Sequence, residues 1–355
     1  AWADGRRYKI YVRARNTAGQ ELNTSLAAST HVFVYDVTIP TLSAHSAILS
    51  LSTISASPTW VTSLAVASGT VADNMVDNLN PRRIFFRVYD ISLGKYLNPN
   101  TLIKFDGTNP NLAWAETPTT LDNWSYDLSL AQLVTGDKYQ MDVYAIDGAG
   151  NYEDTGCLSS PQVNCRTGSV TKPKFARFFS YDKGKPTISI TTPTVTNPNF
   201  IGGTYTLAAL SGVSADDTFS ATESGVAKVE FALQISAIDP TNHWEHYATS
   251  GAWKNNTVGD IWNTAYPQGA PANPWSVWTS SNIVWYESEA YQLKVRSIDV
   301  AGNISNESTL VFTYDKAKPR SVVTSPVNNQ TYQVQILSID GTAKDDTSTS
   351  TGTST

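Results

Sequence analysis

Histidine, cysteine, basic residues and long apolar runs are all in short supply in this sequence, and these shortages close off several classes of function. With four His there is no placed base beside a nucleophile, and no Gly-rich loop follows a strand and opens a helix to cradle phosphates. No catalytic activity is therefore expected. Lys and Arg (25) are outnumbered by Asp and Glu (31), so no basic stripe is available to neutralise a nucleic-acid backbone, and no nucleic-acid partner is expected. No apolar run approaches the roughly 18 residues of a membrane helix, so no membrane insertion is expected either. Helix signals are nearly absent. Only the SLAQLV stretch at 129–134 has capped helical spacing, and a single turn would satisfy it. Neither an initiator Met nor a signal sequence precedes Ala1 and Trp2, which suggests a segment of a longer protein.

The two cysteines, Cys157 and Cys165, lie in one local stretch, GCLSSPQVNC. That spacing suits a disulfide closing a short loop, and with it an oxidising, extracellular compartment. The alternative is two free thiols in a surface loop; no His or second Cys pair lies nearby to complete a zinc site. His243 and His246 in HWEH, three apart on a strand, point to opposite faces and make no metal pair.

What the sequence does contain is repetition. YKIYVRARNTAGQ (8–20), YQMDVYAIDGAGN (139–151) and YQLKVRSIDVAGN (291–303) are three copies of one phrase. A second phrase follows each, ending in Tyr-Asp and then Pro, with its aspartate at Asp36, Asp182 and Asp315. A third phrase comes later, as SGTVADN (68–74), SGVSADD (211–217) and DGTAKDD (340–346). The order never changes and the intervals are of whole-domain size, too long for solenoid units. The boundaries that follow are the end of one domain at 1–36, complete domains at 37–182 and 183–315, and the start of another at 316–355.

The first phrase alternates with a period of two: Tyr291, Leu293, Val295 and Ser297 face one way, and Gln292, Lys294 and Arg296 the other. A Tyr opening such a strand is what the tyrosine corner of a sandwich's strand F requires, with its ring buried and its hydroxyl returned to nearby backbone. Asp-x-Ala-Gly-Asn then supplies a turn, and the Tyr-Asp phrase is strand G leaving the domain. TSLAVASGTVAD and YTLAALSGVSAD suit strand B, while RRIFFRVYD and AKVEFALQ suit strand C. The fold class is all-β, a tandem series of Greek-key β-sandwich domains.

In these phrases the chain resembles the bacterial immunoglobulin-like repeats of giant surface proteins and adhesins, whose strand F phrase and linker resemble YQLKVRSIDVAGN and FTYDKAKP. Copy one departs from the pattern with Asn16 and Gln20 where the others have Asp and Asn. The resemblance implies immunoglobulin-like domains, a stalk, spacer or adhesive role at a cell surface, and often calcium between domains.

Sandwich topology sharpens the calcium expectation. Strand G leaves one domain where the next presents its B-to-C and F-to-G loops, so acidic groups converge on each junction. At the first junction they are Asp36, Asp73 with Asn74 or Asp77, and Asp147 with Asn151. At the middle junction they are Asp182, Asp216, Asp217, and Asp299 with Asn303; Asp315 opens the last. Calcium takes six to eight hard oxygens in tolerant geometry. The competing reading is that each Asp only caps a turn.

Domain one also carries an enlarged F-to-G segment, from Asn151 to about Val170. Domain two concentrates tryptophan at 244, 253, 262, 275, 278 and 285, with Trp114 and Trp124 in the equivalent stretch of domain one. Exposed rings would suit surface glycans, whereas recurrence across copies favours packing. Three functions follow from these readings. A structural or adhesive stalk predicts an elongated monomer; a self-assembling filament or surface layer of identical chains predicts a regular polymer. A carbohydrate-binding accessory region of a secreted enzyme predicts retention on polysaccharide.

Overall fold

The computed structural model describes residues 1–12, 14–20, 30–44, 51–73, 83–117, 119–120, 123–151, 175–194, 200–202, 207–217, 224–235, 243–247, 252–256, 259–280 and 283–345. Among them are twenty-six strands and one three-residue 3-10 turn at Pro274–Ser276. No helix among the described residues is long and apolar enough to cross a membrane. The SLAQLV stretch forms a turn at 129–130 and then runs on without a helix. The Gln132 amide donates to Ile103 O rather than back along its own stretch, so a neighbouring segment takes the bond a helix would have used.

The chain divides into two compact units between Lys183 and Gly184. The first begins with an antiparallel pair, β1 (Arg6–Tyr11) and β2 (Thr30–Tyr35). Its following strands are β3 (Thr41–Ala44), β4 (Thr59–Val61), β5 (Val66–Ala72), β6 (Arg83–Asp90), β7 (Lys95–Leu97) and β8 (Phe105–Gly107). Then come β9 (Ala115–Thr117), β10 (Thr119–Thr120), β11 (Asn123–Asp127), β12 (Lys138–Ile146) and β13 (Phe175–Tyr181). One sheet has the order β10-β11-β5-β3 and the other β4-β13-β12-β6-β7-β8, with β9 also on β6. The chain crosses between the sheets from β6 to β11 and back to β12, and β4 joins β13 in parallel, which is Greek-key immunoglobulin-like topology.

The second unit repeats the plan. It uses β14 (Thr187–Thr192), β15 (Phe200–Gly202), β16 (Ser211–Ala215), β17 (Val226–Ile235), β18 (His243–Tyr247) and β19 (Ala252–Asn256). These lead to β20 (Asn263–Thr264), β21 (Tyr266–Pro267), β22 (Val277–Thr279), β23 (Glu289–Asp299) and β24 (Ser308–Asp315). Its sheets run β14-β16-β22-β21 and β15-β24-β23-β17-β18-β19, and the pair β25 (Arg320–Ser325) and β26 (Asp340–Lys344) follows. The chain is thus all-β, with immunoglobulin-like sandwiches in tandem.

Alternation fills each core. Tyr139, Met141, Val143 and Ala145 on β12, and Tyr291, Leu293, Val295 and Ser297 on β23, are all fully buried. They meet residues of the smaller sheet, as where Phe86 packs on Tyr126 at 4.2 Å between ring centroids. The corner tyrosines behave as their position in the phrase requires. Each hydroxyl accepts the amide of the residue five before it: Ala3 for Tyr8 (2.6 Å), Val134 for Tyr139 (2.8 Å) and Tyr286 for Tyr291 (2.6 Å). Tyr291→Phe should strand the Tyr286 amide and lower stability by about 1–3 kcal/mol, read as a fall in the unfolding midpoint with the m-value unchanged.

The outer face of each larger sheet is covered too, which strict alternation does not predict. On β17, Glu230 and Gln234 are less than a tenth exposed, because the segment returning to the smaller sheet lies over them. Trp262 from that segment rests on the Arg296 guanidinium at 3.9 Å, and Asp260 binds both Gln234 and Lys294. Burial would raise the Glu230 carboxyl, but hydrogen bonds and charge from Lys228 and Arg296 outweigh it and hold Glu230 below the usual range. Domain one does the same with Trp114 over Arg87 at 4.3 Å.

Candidate metal centre

The F-to-G turn is built identically in the three copies of the first phrase. In domain one the Asp147 N–H donates to Asn151 O (3.0 Å), and Asp147 Oδ1 accepts the Asn151 amide at 2.8 Å. Asp299 and Asn303 repeat both bonds, and so do Asn16 and Gln20, so the departure in copy one preserves the turn. Gly150, at φ 93°, supplies the left-handed residue that closes it.

That turn carries Asp147 to the end of the linker. Asp36, Asp73 and Asp147 each offer a carboxylate oxygen, and these three oxygens lie within 4.8 Å of one another. Asp36 is 8% exposed and Asp147 3%; Asp73, just past β5, is half-buried. Asn151 braces the group: its Nδ2 donates to Asp147 Oδ2 at 2.9 Å and to the Asp36 carbonyl at 3.1 Å. Its side-chain amide thereby fixes the Asp147 carboxylate against the backbone of the linker. Burial raises the Asp36 carboxyl, the Thr38 amide opposes this, and the charges of Asp73, Asp147 and Asp4 push it up again.

Asp4 carried no signal as a site residue in the sequence, because it belongs to none of the three phrases. Its Oδ1 accepts the Val37 amide at 2.7 Å, and its Oδ2 accepts the Thr38 hydroxyl. Its only mark is its place four residues before a corner tyrosine.

In the second unit, Asp216 Oδ2 accepts the Gly225 amide at 2.6 Å and Oδ1 accepts that of Asp217. Asp299 is 2% exposed and accepts from Gly302 and Asn303. Its carboxyl is raised by burial first, lowered by those bonds, and raised again by the charge of Asp216. Asp182 closes the first unit, its amide donating to Val61 O at 3.0 Å. Asp315 accepts the Ala317 amide at 3.0 Å. Asn74, Asp77, Cys157 and Cys165 lie outside the described residues, as do most of the enlarged F-to-G segment and the TSTSTGTST tail.

No known family's sequence profile matches this chain, and neither does any curated protein. Similar solved structures do exist. The FN1–FN3 domains of chicken CNTN1 align at 10% identity and a TM-score of 0.31, covering 87% of this chain and 78% of that one. The fibronectin(III)-like modules of Clostridium thermocellum CbhA align at 10% identity and a TM-score of 0.30, covering 73% of this chain and 88% of that one.

The donor set tests well against calcium. Three carboxylates at this separation repel by on the order of 3 kcal/mol per pair at an effective dielectric near 20, and a divalent ion reverses that sign. All are hard oxygens, and no Cys or His stands among them. Four of the tryptophans are held within their sandwiches. Trp278 and Trp124 are buried, Trp253 Nε1 donates to Val284 O at 2.7 Å, and Trp285 Nε1 donates to Leu207 O at 2.9 Å. The side chains of His243, Trp244 and His246 on β18 are outside the described set.

Proposed function

We propose that this chain is a non-catalytic segment of a large extracellular surface protein, a structural or adhesive stalk whose junctions are fixed by calcium. The observation that carries the reading is the meeting of Asp36, Asp73 and Asp147. Asp36 ends the strand of one repeat, while Asp73 and Asp147 belong to the two loops at one end of the next, so an ion held by all three ties two repeats together. These carboxylates would be its protein ligands, with water completing the shell. The repeat assigns Asp182, Asp216 and Asp299 the corresponding positions in the following module, with Asp217 beside them. A disulfide between Cys157 and Cys165 fits the same compartment.

Thermal unfolding with and without chelator tests this. A ligand present at a hundred times its Kd stabilises by about 2.7 kcal/mol, which raises the midpoint by several degrees. Asp73→Asn and Asp147→Asn should each remove the difference, and identical melts for the wild-type chain would retire calcium. Light scattering of the calcium-loaded chain should give the monomer mass. A regular polymer would favour the filament or surface layer, and retention on polysaccharide would favour glycan binding.

A further inference from the structure

The residue four places before each corner tyrosine carries a side-chain oxygen, and in all three cases that oxygen binds the linker. Asp4, ahead of Tyr8, accepts the Val37 amide at 2.7 Å. Thr135, ahead of Tyr139, accepts the Lys183 amide through Oγ1 at 3.2 Å. Glu287, ahead of Tyr291, accepts the Lys316 amide and, at 2.7 Å, the Ala317 amide. Val37, Lys183 and Lys316 each directly follow the aspartate that ends strand G. Three different residue types thus do one task at equivalent positions, through the one property they share.

We propose that this residue is a latch that fastens each linker to the module before it and stiffens the linker without any cation. The linkers Asp36–Pro40 and Asp315–Pro319 have few free torsions left once it closes. The amide after the aspartate is latched, and the next amide returns to the aspartate itself, Thr38 to Asp36 and Ala317 to Asp315. The following residue precedes proline and is confined to extended conformations, and the proline fixes its own φ. At the first linker the same peptide is also held from its other side. The Asp36 carbonyl accepts Asn151 Nδ2 at 3.1 Å while the adjoining Val37 N–H is bound by Asp4, so one peptide unit is bonded to two successive repeats.

The tyrosine corner explains why position four was available. The Tyr hydroxyl holds the backbone five residues upstream, which places the next residue's side chain beside the end of strand G. The corner therefore orders both the domain and the exit of its linker.

Residue-resolved hydrogen exchange on the full chain in chelator tests the proposal separately from calcium. Val37, Lys183 and Ala317 should exchange far more slowly than unstructured amides. Asp4→Ala, Thr135→Val and Glu287→Ala should each accelerate only their own linker amide, by about tenfold or more, the equivalent of one charge-assisted or neutral hydrogen bond. Glu287→Gln keeps an acceptor oxygen and should retain most of the protection. Exchange at the β12 and β23 amides reports whether a variant has folded, and the three junctions are independent, so failure of one variant to fold leaves two readings. Wild-type linker amides exchanging at the unstructured rate, or variants leaving them unchanged, would overturn the latch. A chain showing the latch but no calcium effect would lose the metal reading alone.

Discussion

Trp278→Ala should destabilise the second unit by about 3–5 kcal/mol, a large part of the 5–15 kcal/mol that holds a typical domain together. Trp278 is fully buried and lies on β22 directly opposite Gly212 of β16. A Cβ at Gly212 would come within 2.6 Å of the indole and 2.0 Å of the Ser189 carbonyl, so the glycine exists to admit the ring. Domain one repeats the arrangement with Trp124 opposite Gly69. Among the described residues neither indole N–H has a hydrogen-bond partner. The loss on truncation is therefore packing and cavity, and Trp278→Phe should cost less than alanine. Denaturant unfolding of the full chain should show only the second unit's transition moved. A shift worth under about 1 kcal/mol, the size of an ordinary surface change, would show that the ring does not fill the core.

Asp142→Ala should cost about 3–5 kcal/mol in the first unit for a different reason, the abandonment of a buried cation. Arg87 Nε donates to Asp142 Oδ2 at 2.8 Å, with the side chains 9% and 1% exposed. Gln140 holds the other carboxylate oxygen at 2.8 Å, and the guanidinium is covered by Trp114. Removing the acid leaves Arg87 under that lid with, among the described residues, the Pro110 carbonyl and the ring faces around it. Replacing both residues with apolar ones of similar volume should recover most of the stability, since the pair itself contributes little beyond its own desolvation. A double-mutant cycle from urea midpoints measures the coupling. Equal stability for the single and double variants would mean that the cation escapes to solvent.

The strands that alternate strictly were legible in the sequence because one face of each meets a core of fixed depth. Strands B, C, F and G of both domains lie where their phrases placed them, on β5, β6, β12 and β13 and on β16, β17, β23 and β24. Strand C shows where legibility ends: alternation alone would turn Glu230 and Arg87 to solvent, yet both are buried, because the crossover that covers them is distant in the chain. The SLAQLV stretch keeps only the single turn its spacing asked for, because the next amide, that of Gln132, is taken by Ile103 from a segment some way back in the chain.

By itself, the sequence determined the all-β class, the corner tyrosines, the shared F-to-G turn and the residues of the acidic group, because short-range patterns and turn chemistry act within a few residues. Only the tertiary structure decided that Asp4, Thr135 and Glu287 grip the linkers, that Gly69 on β5 and Gly212 on β16 answer Trp124 on β11 and Trp278 on β22, and that one oxygen from each of Asp36, Asp73 and Asp147 lies within 4.8 Å of the others. Those contacts join residues far apart in the chain, and their energy depends on where whole strands come to rest rather than on any local preference.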